Sequence, residues 1–262
     1  LGEDEALDAA AVASVSQAGL DLSRWGRRTF RAPHHTASSP ALVGGGSRPR
    51  PGEISLAHHG VLFLDELPEF NRNVLEVLRE PMESGRIVIS RAACYAEFPA
   101  RFQLIAAMNP CPCGYAGDPS GRCHCSRDQV RRYRARISGP LLDRIDLHVE
   151  VSRPPTGFMN GRHPEPERSA AVRQRVVAAR DRLVARQGRP NAMLDNPGVR
   201  RHCRLPAGLE AFLDSTAERM TLSPRACQRI LKVARTLADL ENIELIGESQ
   251  LAEAIAYRGI EA

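Results

Sequence analysis

Short apolar runs alternate with longer helix-like segments through the first half of the chain. The apolar runs lie at 61–64, 86–90, 102–108 and 147–151, and a segment of helical character occupies 71–84. This alternation is typical of strands separated by helices, the arrangement found in α/β domains. We therefore expect residues 1–153 to form an α/β domain built on a parallel sheet.

A different pattern follows a segment rich in proline and glycine. Residues 154–168 predict a linker, because prolines and glycines there interrupt both strand and helix patterns. Beyond it, apolar residues recur at helical spacing, first at Val172, Val176, Ala179 and Leu183. Ser223 and Pro224 are residue types favoured at a helix N-cap and first helical position, and 248–257 predicts a last helix. We expect residues 169–262 to be entirely helical.

Bulk composition narrows the class of protein. The 262 residues are 42% hydrophobic, enough for a substantial core, and their longest apolar runs are far shorter than a membrane span. The acidic, alanine-rich start lacks the basic region of a signal peptide. These features predict a cytoplasmic protein without a membrane partner. The net charge of +5 favours a polyanionic partner, nucleic acid first, although the excess is modest for this length.

The scarcity of lysine excludes one kind of site. Lys232 is the only lysine of the chain, and it lies in an apolar helical pattern. A phosphate-binding P-loop requires Gly-x-x-x-x-Gly-Lys-Ser/Thr, so the chain cannot contain one. The glycines at 44–46 are followed by Ser-Arg-Pro-Arg-Pro-Gly and predict a turn-rich loop.

Two acidic residues follow the strand-like run of 61–64. The motif is Gly60-Val-Leu-Phe-Leu-Asp65-Glu66, and a buried parallel strand delivers its last side chains to the edge of the sheet where α/β ligand sites lie. Asp65 is suited to hold Mg²⁺ through water, and Glu66 is suited to polarise a water that attacks a phosphate. The next strand ends at Asn109, whose amide could orient that water. The alternative is a strand that ends in a solvated acidic turn.

Four cysteines form a second constellation with chemical meaning. They are Cys111, Cys113, Cys123 and Cys125. Two close pairs of thiolates joined by a short polar loop suit tetrahedral Zn²⁺, and a cytosolic setting disfavours disulfides. We expect structural zinc here, with His124 as a competing ligand and reduced loop cysteines as the alternative.

The remaining cysteines and the paired histidines predict structural roles. Cys94, Cys203 and Cys227 lie outside the cluster and resemble ordinary small core residues. The pairs His34-His35 and His58-His59 are poor chelates, because adjacent side chains on a strand point in different directions.

Taken together, these motifs resemble the magnesium-chelatase-like AAA+ ATPases, in the ComM/YifB branch. The resemblance runs through nearly the whole chain and is carried by segments 30–36, 51–58, 60–70, 98–103, 107–114, 137–146 and 222–240. It implies a partial AAA+ P-loop NTPase core that lacks the Walker A region, followed by a helical lid. It also implies that segment 85–99 is a hairpin directed into a hexamer pore.

The resemblance assigns roles to individual residues. By position it implies Walker B residues Asp65 and Glu66, sensor 1 at Asn109, an arginine finger at Arg144, sensor 2 at Arg225 and a DNA phosphate contact at Arg91. The planar, permanently charged guanidinium of arginine matches phosphate oxygens, which agrees with the finger and sensor roles. The alternatives are an intrachain pair with Asp143 or Asp146 for the finger, and solvated surface arginines for the other two.

The family further implies a homohexameric ATPase that uses ATP and Mg²⁺. The nearest branch implies DNA branch migration, with this chain as an inactive C-terminal part of the motor. One alternative is the ATPase subunit of a metal chelatase, and another is a non-hydrolysing, zinc-containing binding or scaffold module.

Overall fold

The structure of this chain, a computed structural model, describes residues 1–91, 94–151 and 167–258, except for the side chains of Arg91 and Cys94. Its contacts divide the chain into two units, 1–145 and 146–261. Most of the expected linker 154–168 lies outside the described residues, so the boundary at residue 153 stays a prediction. Within the described part, no helix is both long enough and apolar enough to cross a bilayer.

The first unit contains short helices and strands in alternation. Its helices are α1 (Glu3–Ser14), α2 (Ser39–Val43), α3 (Glu53–Leu56), α4 (Arg72–Glu76), α5 (Arg79–Ser84), α6 (Arg127–Arg134) and α7 (Gly139–Leu142). Its strands are β1 (Phe30–Arg31), β2 (Gly44–Gly45), β3 (Arg50–Pro51), β4 (Val61–Leu64), β5 (Arg86–Arg91), β6 (Cys94–Pro99) and β7 (Gln103–Ala106). Single 3₁₀ turns lie at Leu22–Arg24 and Leu67–Glu69.

A three-stranded parallel sheet positions the site. Its strand order is β1-β4-β7, with Phe30 opposite Val61 and Leu64 opposite Ala106. Because all three strands are parallel, their carboxyl ends meet at one edge, where α/β ligand sites form. The expected α/β class is therefore confirmed, and it agrees with a partial AAA+ core.

The core of this unit lies against β4. Leu62 and Leu64 are fully buried, and burying a side chain of this size stabilises the fold by about 1.5–3 kcal/mol. The other core members are Leu42, Ile54, Ala57, Leu67, Phe70, Val74, Leu75, Leu78, Ile87, Ile89, Ala100, Ile137 and Leu141. Gly60 admits the close approach of β1 to β4, because a Cβ there would lie 2.2 Å from the carbonyl oxygen of Thr29.

The glycines at 44–46 form more than a turn-rich loop. Gly44 and Gly45 pair with Arg50 and Pro51 in an antiparallel ribbon, β2-β3. A Cβ on Gly52 would lie 2.4 Å from the backbone of Gly44, so glycine is required for this close crossing.

Two segments differ from the sequence expectation. The single helix expected at 71–84 is two helices, α4 and α5, because Pro81 has no N–H to donate to the carbonyl of Val77. The strand expected at 147–151 is wrong, since these residues have no regular structure. Val149 and Val151 are 61% and 89% exposed, which shows that alternating hydrophobicity does not make a strand without a partner strand.

The hairpin expected at 85–99 is confirmed. Strands β5 and β6 pair antiparallel from Arg86–Pro99 to Arg91–Cys94. Ile87 and Ile89 are buried on one face, while Tyr95 on the other face is 71% exposed. Residues 92 and 93 at the tip lie outside the described residues.

In the second unit, residues 169–258 contain helices and no strand, as expected. Its helices are α8 (Ser169–Gln187), α9 (Asn196–His202), α10 (Ala207–Arg219), α11 (Pro224–Leu240) and α12 (Glu248–Ala256), with a 3₁₀ turn at Asn191–Met193. The N-cap prediction is confirmed, because the Ser223 hydroxyl accepts from the N–H of Ala226 at 3.1 Å and Pro224 opens α11.

A buried ionic network ties α8 and the 3₁₀ turn to α11. The Asp239 carboxylate, 3% exposed, accepts two hydrogen bonds from Arg186 at 2.5 and 2.8 Å. Arg235 contacts it at 3.1 Å, and the Asn191 amide donates to it at 2.8 Å. Every oxygen of this buried carboxylate is therefore paired, which a charge removed from water requires.

Candidate functional site

Two backbone hydrogen bonds hold the predicted acidic motif at the carboxyl edge of the sheet. The N–H of Ala107 donates to the carbonyl of Leu64 at 2.9 Å, and the N–H of Leu67 donates to the carbonyl of Ala107 at 2.9 Å. Asp65 and Glu66 lie in the turn between these two bonds. Asn109 follows two residues beyond Ala107, so the fold brings the three predicted residues to the same edge.

Glu66 has an unusual backbone conformation. Its φ of 51° and ψ of 45° are left-handed, and its N–H donates to the Asp65 carboxylate at 2.8 Å. A left-handed conformation of a residue other than glycine is strained by about 1–3 kcal/mol, and such strain concentrates at functional sites. The conformation turns Glu66 out of the strand direction and leaves its side chain half-exposed.

His35 contacts Glu66 directly. Its Nδ1 lies 3.0 Å from Oε2 of Glu66, and its ring meets Phe70 edge-on at 6.4 Å between centroids. Sequence reasoning had assigned His35 a structural role and missed this contact. The available signal was its position: His35 follows β1, which is the parallel neighbour of β4, so both residues belong to the same sheet edge.

A cavity of about 610 Å³ opens beside His35. Hydroxyl and amide side chains provide much of its lining, among them Thr36, Ser38, Asn71 and Asn73. The carboxyl edge of the sheet therefore adjoins an open cavity at His35, lined by both polar and apolar groups.

The other histidine pair lies at the opposite, amino end of β4. Nδ1 of His58 accepts the N–H of Arg101 at 3.0 Å, so the neutral ring carries its proton on Nε2. Burial lowers the pKa of His58 to about 4, which keeps the ring neutral. Asp8, His58 and His59 lie close enough to surround an ion. In His58, however, the lone pair of Nδ1 already accepts the N–H of Arg101, and Nε2 carries the proton. These contacts support the structural role.

The reason given for that role from sequence was wrong. Adjacent rings do not point in different directions: the centroids of His34 and His35 are 4.1 Å apart, and those of His58 and His59 are 3.9 Å apart. Neither pair lies in a strand, and the left-handed φ of His59, 54°, turns its ring toward its neighbour.

Arg144 is held within its own unit. One guanidinium nitrogen lies 2.8 Å from the carboxylate of Glu83 on α5, and another donates to the carbonyl of Pro140 at 2.5 Å. Its side chain is only 11% exposed. The expected alternative partners were Asp143 and Asp146, and the ion pair that the structure shows is with Glu83.

The two other predicted arginines are Arg225 and Arg91. Arg225 is exposed in the first turn of α11, in the second unit. Arg91 ends β5, and its side chain lies outside the described residues.

The four predicted cysteines form a cluster. The sulfur of Cys111 lies 3.3 Å from that of Cys113 and 3.8 Å from that of Cys123, and the sulfurs of Cys113 and Cys123 are 3.6 Å apart. All four sulfurs, including that of Cys125, lie within 4.8 Å of one another, whereas His124 is exposed. With Zn–S bonds of about 2.3 Å, a tetrahedral site places its sulfurs about 3.8 Å apart, so these spacings fit zinc.

The electrostatics of the cluster also fit a cation. A backbone N–H at Tyr115 and the Cys111 thiol lower the pKa of Cys113 to about 6, while the pKa of Cys123 is raised. The pKa of Cys125 rises to about 12: a backbone N–H at Cys113 lowers it, but the Cys113 side chain and burial outweigh that effect. Sulfurs packed this closely cannot all ionise without a positive charge among them, and a dication provides that charge.

Comparisons with known proteins cover both units. The family model for the magnesium chelatase subunit ChlI matches residues 1–158, and the model for the ChlI C-terminal region matches residues 166–258. YifB of Escherichia coli strain K12 is 49% identical over 261 residues, which are 100% of this chain and 51% of that protein. The competence protein ComM of Haemophilus influenzae strain Rd is 50% identical over 256 residues, 98% of this chain and 50% of that protein.

A more distant relative is named as a subunit of magnesium chelatase. The magnesium-chelatase 38 kDa subunit of Rhodobacter capsulatus is 26% identical over 220 residues, which are 77% of this chain and 51% of that protein. The chain thus spans about half the length of each of these three relatives.

Proposed function

Since this chain belongs to the magnesium-chelatase ChlI family, in the branch of YifB and ComM, we propose that it supplies the hydrolytic half of an AAA+ ATPase site. The observation that carries the proposal is the meeting of Asp65, Glu66 and Asn109 at one sheet edge, with His35 3.0 Å from Glu66. Bound Mg·ATP supplies the phosphoryl group and the metal charge at this edge.

Each residue has one task in the proposed mechanism. Asp65 would hold Mg²⁺, whose charge would offset that of the phosphates, Glu66 would accept a hydrogen bond from the attacking water, and the amide of Asn109 would orient that water. Glu66 polarises the water best when its carboxylate is fixed, and the contact with His35 restricts its rotation. The strained turn at Glu66 serves the same end.

The two arginines complete the site at a subunit boundary. Arg144 acts as the arginine finger toward a neighbouring subunit of a homohexamer, and Arg225 contacts the nucleotide from the lid. Because Arg144 is paired with Glu83 at 2.8 Å, it must exchange this carboxylate for phosphate oxygens when it acts. The phosphate that replaces Glu83 belongs to nucleotide bound by the neighbouring subunit. Arg144 therefore acts only when the subunits are assembled and nucleotide is present, so hydrolysis depends on assembly.

We propose that residues 1–262 alone do not hydrolyse ATP. Their only lysine is Lys232, so the sequence provides no P-loop to hold the phosphates. The test compares ATP turnover by the full-length protein with turnover by residues 1–262. Turnover is expected only in the full-length protein, and Glu66→Gln, which keeps the shape of the side chain but removes its charge, should lower kcat about 100-fold or more. Equal rates for wild type and Glu66→Gln would refute the role of this edge.

The four-cysteine cluster is proposed to hold structural Zn²⁺. The sulfurs of Cys111, Cys113 and Cys123 lie 3.3–3.8 Å apart, and all four sulfurs lie within 4.8 Å of one another. Together with the exposure of His124, this favours a ligand set of four cysteines. Elemental analysis of protein purified after metal-replete expression should give one zinc per chain in the wild type and in His124→Ala. Loss of zinc from His124→Ala would show that the histidine is a ligand.

The cargo of the motor is proposed to be DNA, with branch migration as its activity. Supporting observations are the net charge of +5, the hairpin β5-β6 that carries Arg91 and the exposed Tyr95, and the similarity to a competence protein. Arginine contacts phosphates, and an exposed aromatic ring can stack on a base. Forked or duplex DNA should stimulate the ATPase of the full-length protein, and Arg91→Ala should weaken this effect at unchanged basal rate.

Two other functions predict different results. A metal-chelatase ATPase subunit would hydrolyse ATP without a response to DNA; the Rhodobacter relative is named as a magnesium-chelatase subunit. A zinc-containing scaffold module would show no turnover in the full-length protein.

Native mass measurement with and without nucleotide tests the proposed hexamer.

A further inference from the structure

We propose that the four-cysteine centre positions the hydrolytic residues, so that metal binding controls the rate of ATP hydrolysis rather than the affinity for ATP. The inference rests on the proposed ATPase function and concerns the same sheet edge. Two separate paths of contacts connect the cysteine loop to Asn109 and to the turn after Glu66.

The first path is short and leads to Asn109. Cys111, which is fully buried, is separated from Asn109 by Pro110 alone. The N–H of Gly114 donates to the carbonyl of Cys111 at 3.0 Å and closes a tight turn. A Cβ placed on Gly114 would lie 3.9 Å from Oδ1 of Asn109, so the turn that carries the first two cysteines lies beside the Asn109 side chain.

The second path begins at the other end of the loop and runs through α6. This helix starts two residues after Cys125, where Ser126 and Gln129 form a capping box: Ser126 Oγ accepts from the N–H of Gln129, and Gln129 Oε1 accepts from the N–H of Ser126 at 2.7 Å. Its start is therefore fixed next to the last cysteine. Arg134 near its end donates to the carbonyl of Pro110 at 3.4 Å, which ties the helix back to the residue that follows Asn109.

The same helix reaches the turn after Glu66. Just beyond its last turn, Arg136 donates to the carbonyl of Pro68 at 3.1 Å and to the carboxylate of Glu69 at 2.8 Å. Tyr133 is 5% exposed, and the guanidinium carbon of Arg136 lies 6.0 Å from the centre of its ring. Its pKa is raised by burial first and then by the nearby charge of Glu69, with Glu66 and Cys111 contributing to the same effect.

The metal is required because thiols alone hold this loop weakly. Between Cys111 and Cys125 the described residues form no helix or strand, and S–H groups are poor hydrogen-bond donors. A metal that joins both ends of a loop removes much of its freedom, as any cross-link does. Without it, Asn109 and the start of α6 lose their common anchor. Small displacements of an orienting group slow a reaction far more than they weaken binding of the substrate.

The experiment uses the full-length protein in three forms: metal-replete, chelator-stripped, and Cys113→Ser/Cys123→Ser. Stripped protein and the double variant are expected to lose kcat by roughly 10- to 100-fold. The dissociation constant for ATP should change by less than about twofold, as expected when only an interaction of the transition state is lost. Cys203→Ala, which removes a thiol of the second unit, is the matched control and should retain both zinc and kcat.

A further variant separates positioning from metal binding. Arg136→Met cuts the link from α6 to Pro68 and Glu69 but leaves all four cysteines. It is expected to retain stoichiometric zinc and still lose kcat. Wild-type kcat in Arg136→Met, or in stripped protein, would overturn the proposal.

Hydrogen exchange provides a readout that does not depend on activity. On metal removal, amides of 107–116 and 126–136 should exchange faster, while those of 169–258 should not change. Faster exchange throughout residues 1–145 would overturn positioning in favour of general stabilisation. If metal-replete wild-type protein does not hydrolyse ATP, the proposed function fails, whereas the exchange pattern still decides whether the cysteine centre anchors the sheet edge.

Discussion

Replacing Asp239 by asparagine should strongly destabilise the helical unit. The carboxylate is 3% exposed and pairs with Arg186 and with Arg235, which is itself 3% exposed. Asparagine keeps the volume but removes the charge, so Arg235 is left buried beside a neutral amide. Removal of one partner from a buried ion pair costs about 3–5 kcal/mol, compared with about 0.2–1 kcal/mol for an exposed pair.

The assay is thermal and urea unfolding of residues 1–262, followed by helical circular dichroism. At a loss of at least about 3 kcal/mol, the transition of the helical unit should fall by about 12 °C or more. Glu210→Gln is the matched control, because it makes the same chemical change on the exposed surface of α10 and should shift stability by less than about 0.5 kcal/mol. A loss below about 1 kcal/mol for Asp239→Asn would show that the network behaves as a surface pair and would refute the reasoning.

The pH dependence of the free energy of unfolding tests independently whether the Asp239 carboxylate stabilises the folded state. Burial raises the pKa of Asp239, but hydrogen bonds from Arg186 and Asn191 outweigh it and bring the pKa below the ordinary value of 3.8. A carboxyl whose pKa is lowered by folding stabilises the protein above its unfolded pKa, and this contribution is lost as the pH falls through the folded pKa. The difference in free energy of unfolding between wild type and Asp239→Asn should therefore be fully present at neutral pH and disappear only below pH 3.8.

Two further substitutions test the first unit. In the full-length protein, His35→Ala should lower kcat roughly tenfold at unchanged KM, because a hydrogen bond to a charged group is worth about 1.5–3 kcal/mol. His35→Asn places a donor at the position of Nδ1 and should restore most of the rate. Equal kcat for all three proteins would contradict a positioning role. Gly52→Ala should destabilise residues 1–262 by about 1–3 kcal/mol in urea unfolding, since its Cβ would overlap backbone atoms. Gly208→Ala is the control, because its Cβ would meet open space and should not destabilise them. Equal midpoints for the two variants would contradict the close approach of Gly52 to Gly44.

Much of the fold could be predicted because local signals and long-range contacts agree. The run at 61–64 becomes β4, and the cap at Ser223 begins α11 as expected. The segment 147–151 shows the limit of such signals, because an apolar alternation becomes a strand only when a partner strand satisfies its backbone. The helix expected at 71–84 is divided for a different, local reason, because Pro81 has no N–H for the helical hydrogen bond.

The candidate site was predictable in its residue types more than in its contacts. Spacing alone indicated that four cysteines would meet, and their sulfurs do lie together. The partner of Arg144 was not predictable, since Glu83 is 61 positions away in the sequence and neither Asp143 nor Asp146 supplies the ion pair at 2.8 Å. The contact between His35 and Glu66 was missed for the same reason.

The sequence by itself determined the chemistry that is present and the chemistry that is excluded. A single lysine rules out a P-loop anywhere in these 262 residues, and carboxylates placed directly after a buried strand reach the ligand-binding edge in any parallel sheet. Only the tertiary structure decided which side chains touch. The contact of Glu66 with His35 and that of Arg136 with Pro68 join segments far apart in sequence. Periodicity records which face of a segment is buried, but the partner on that face is set by packing of the whole chain.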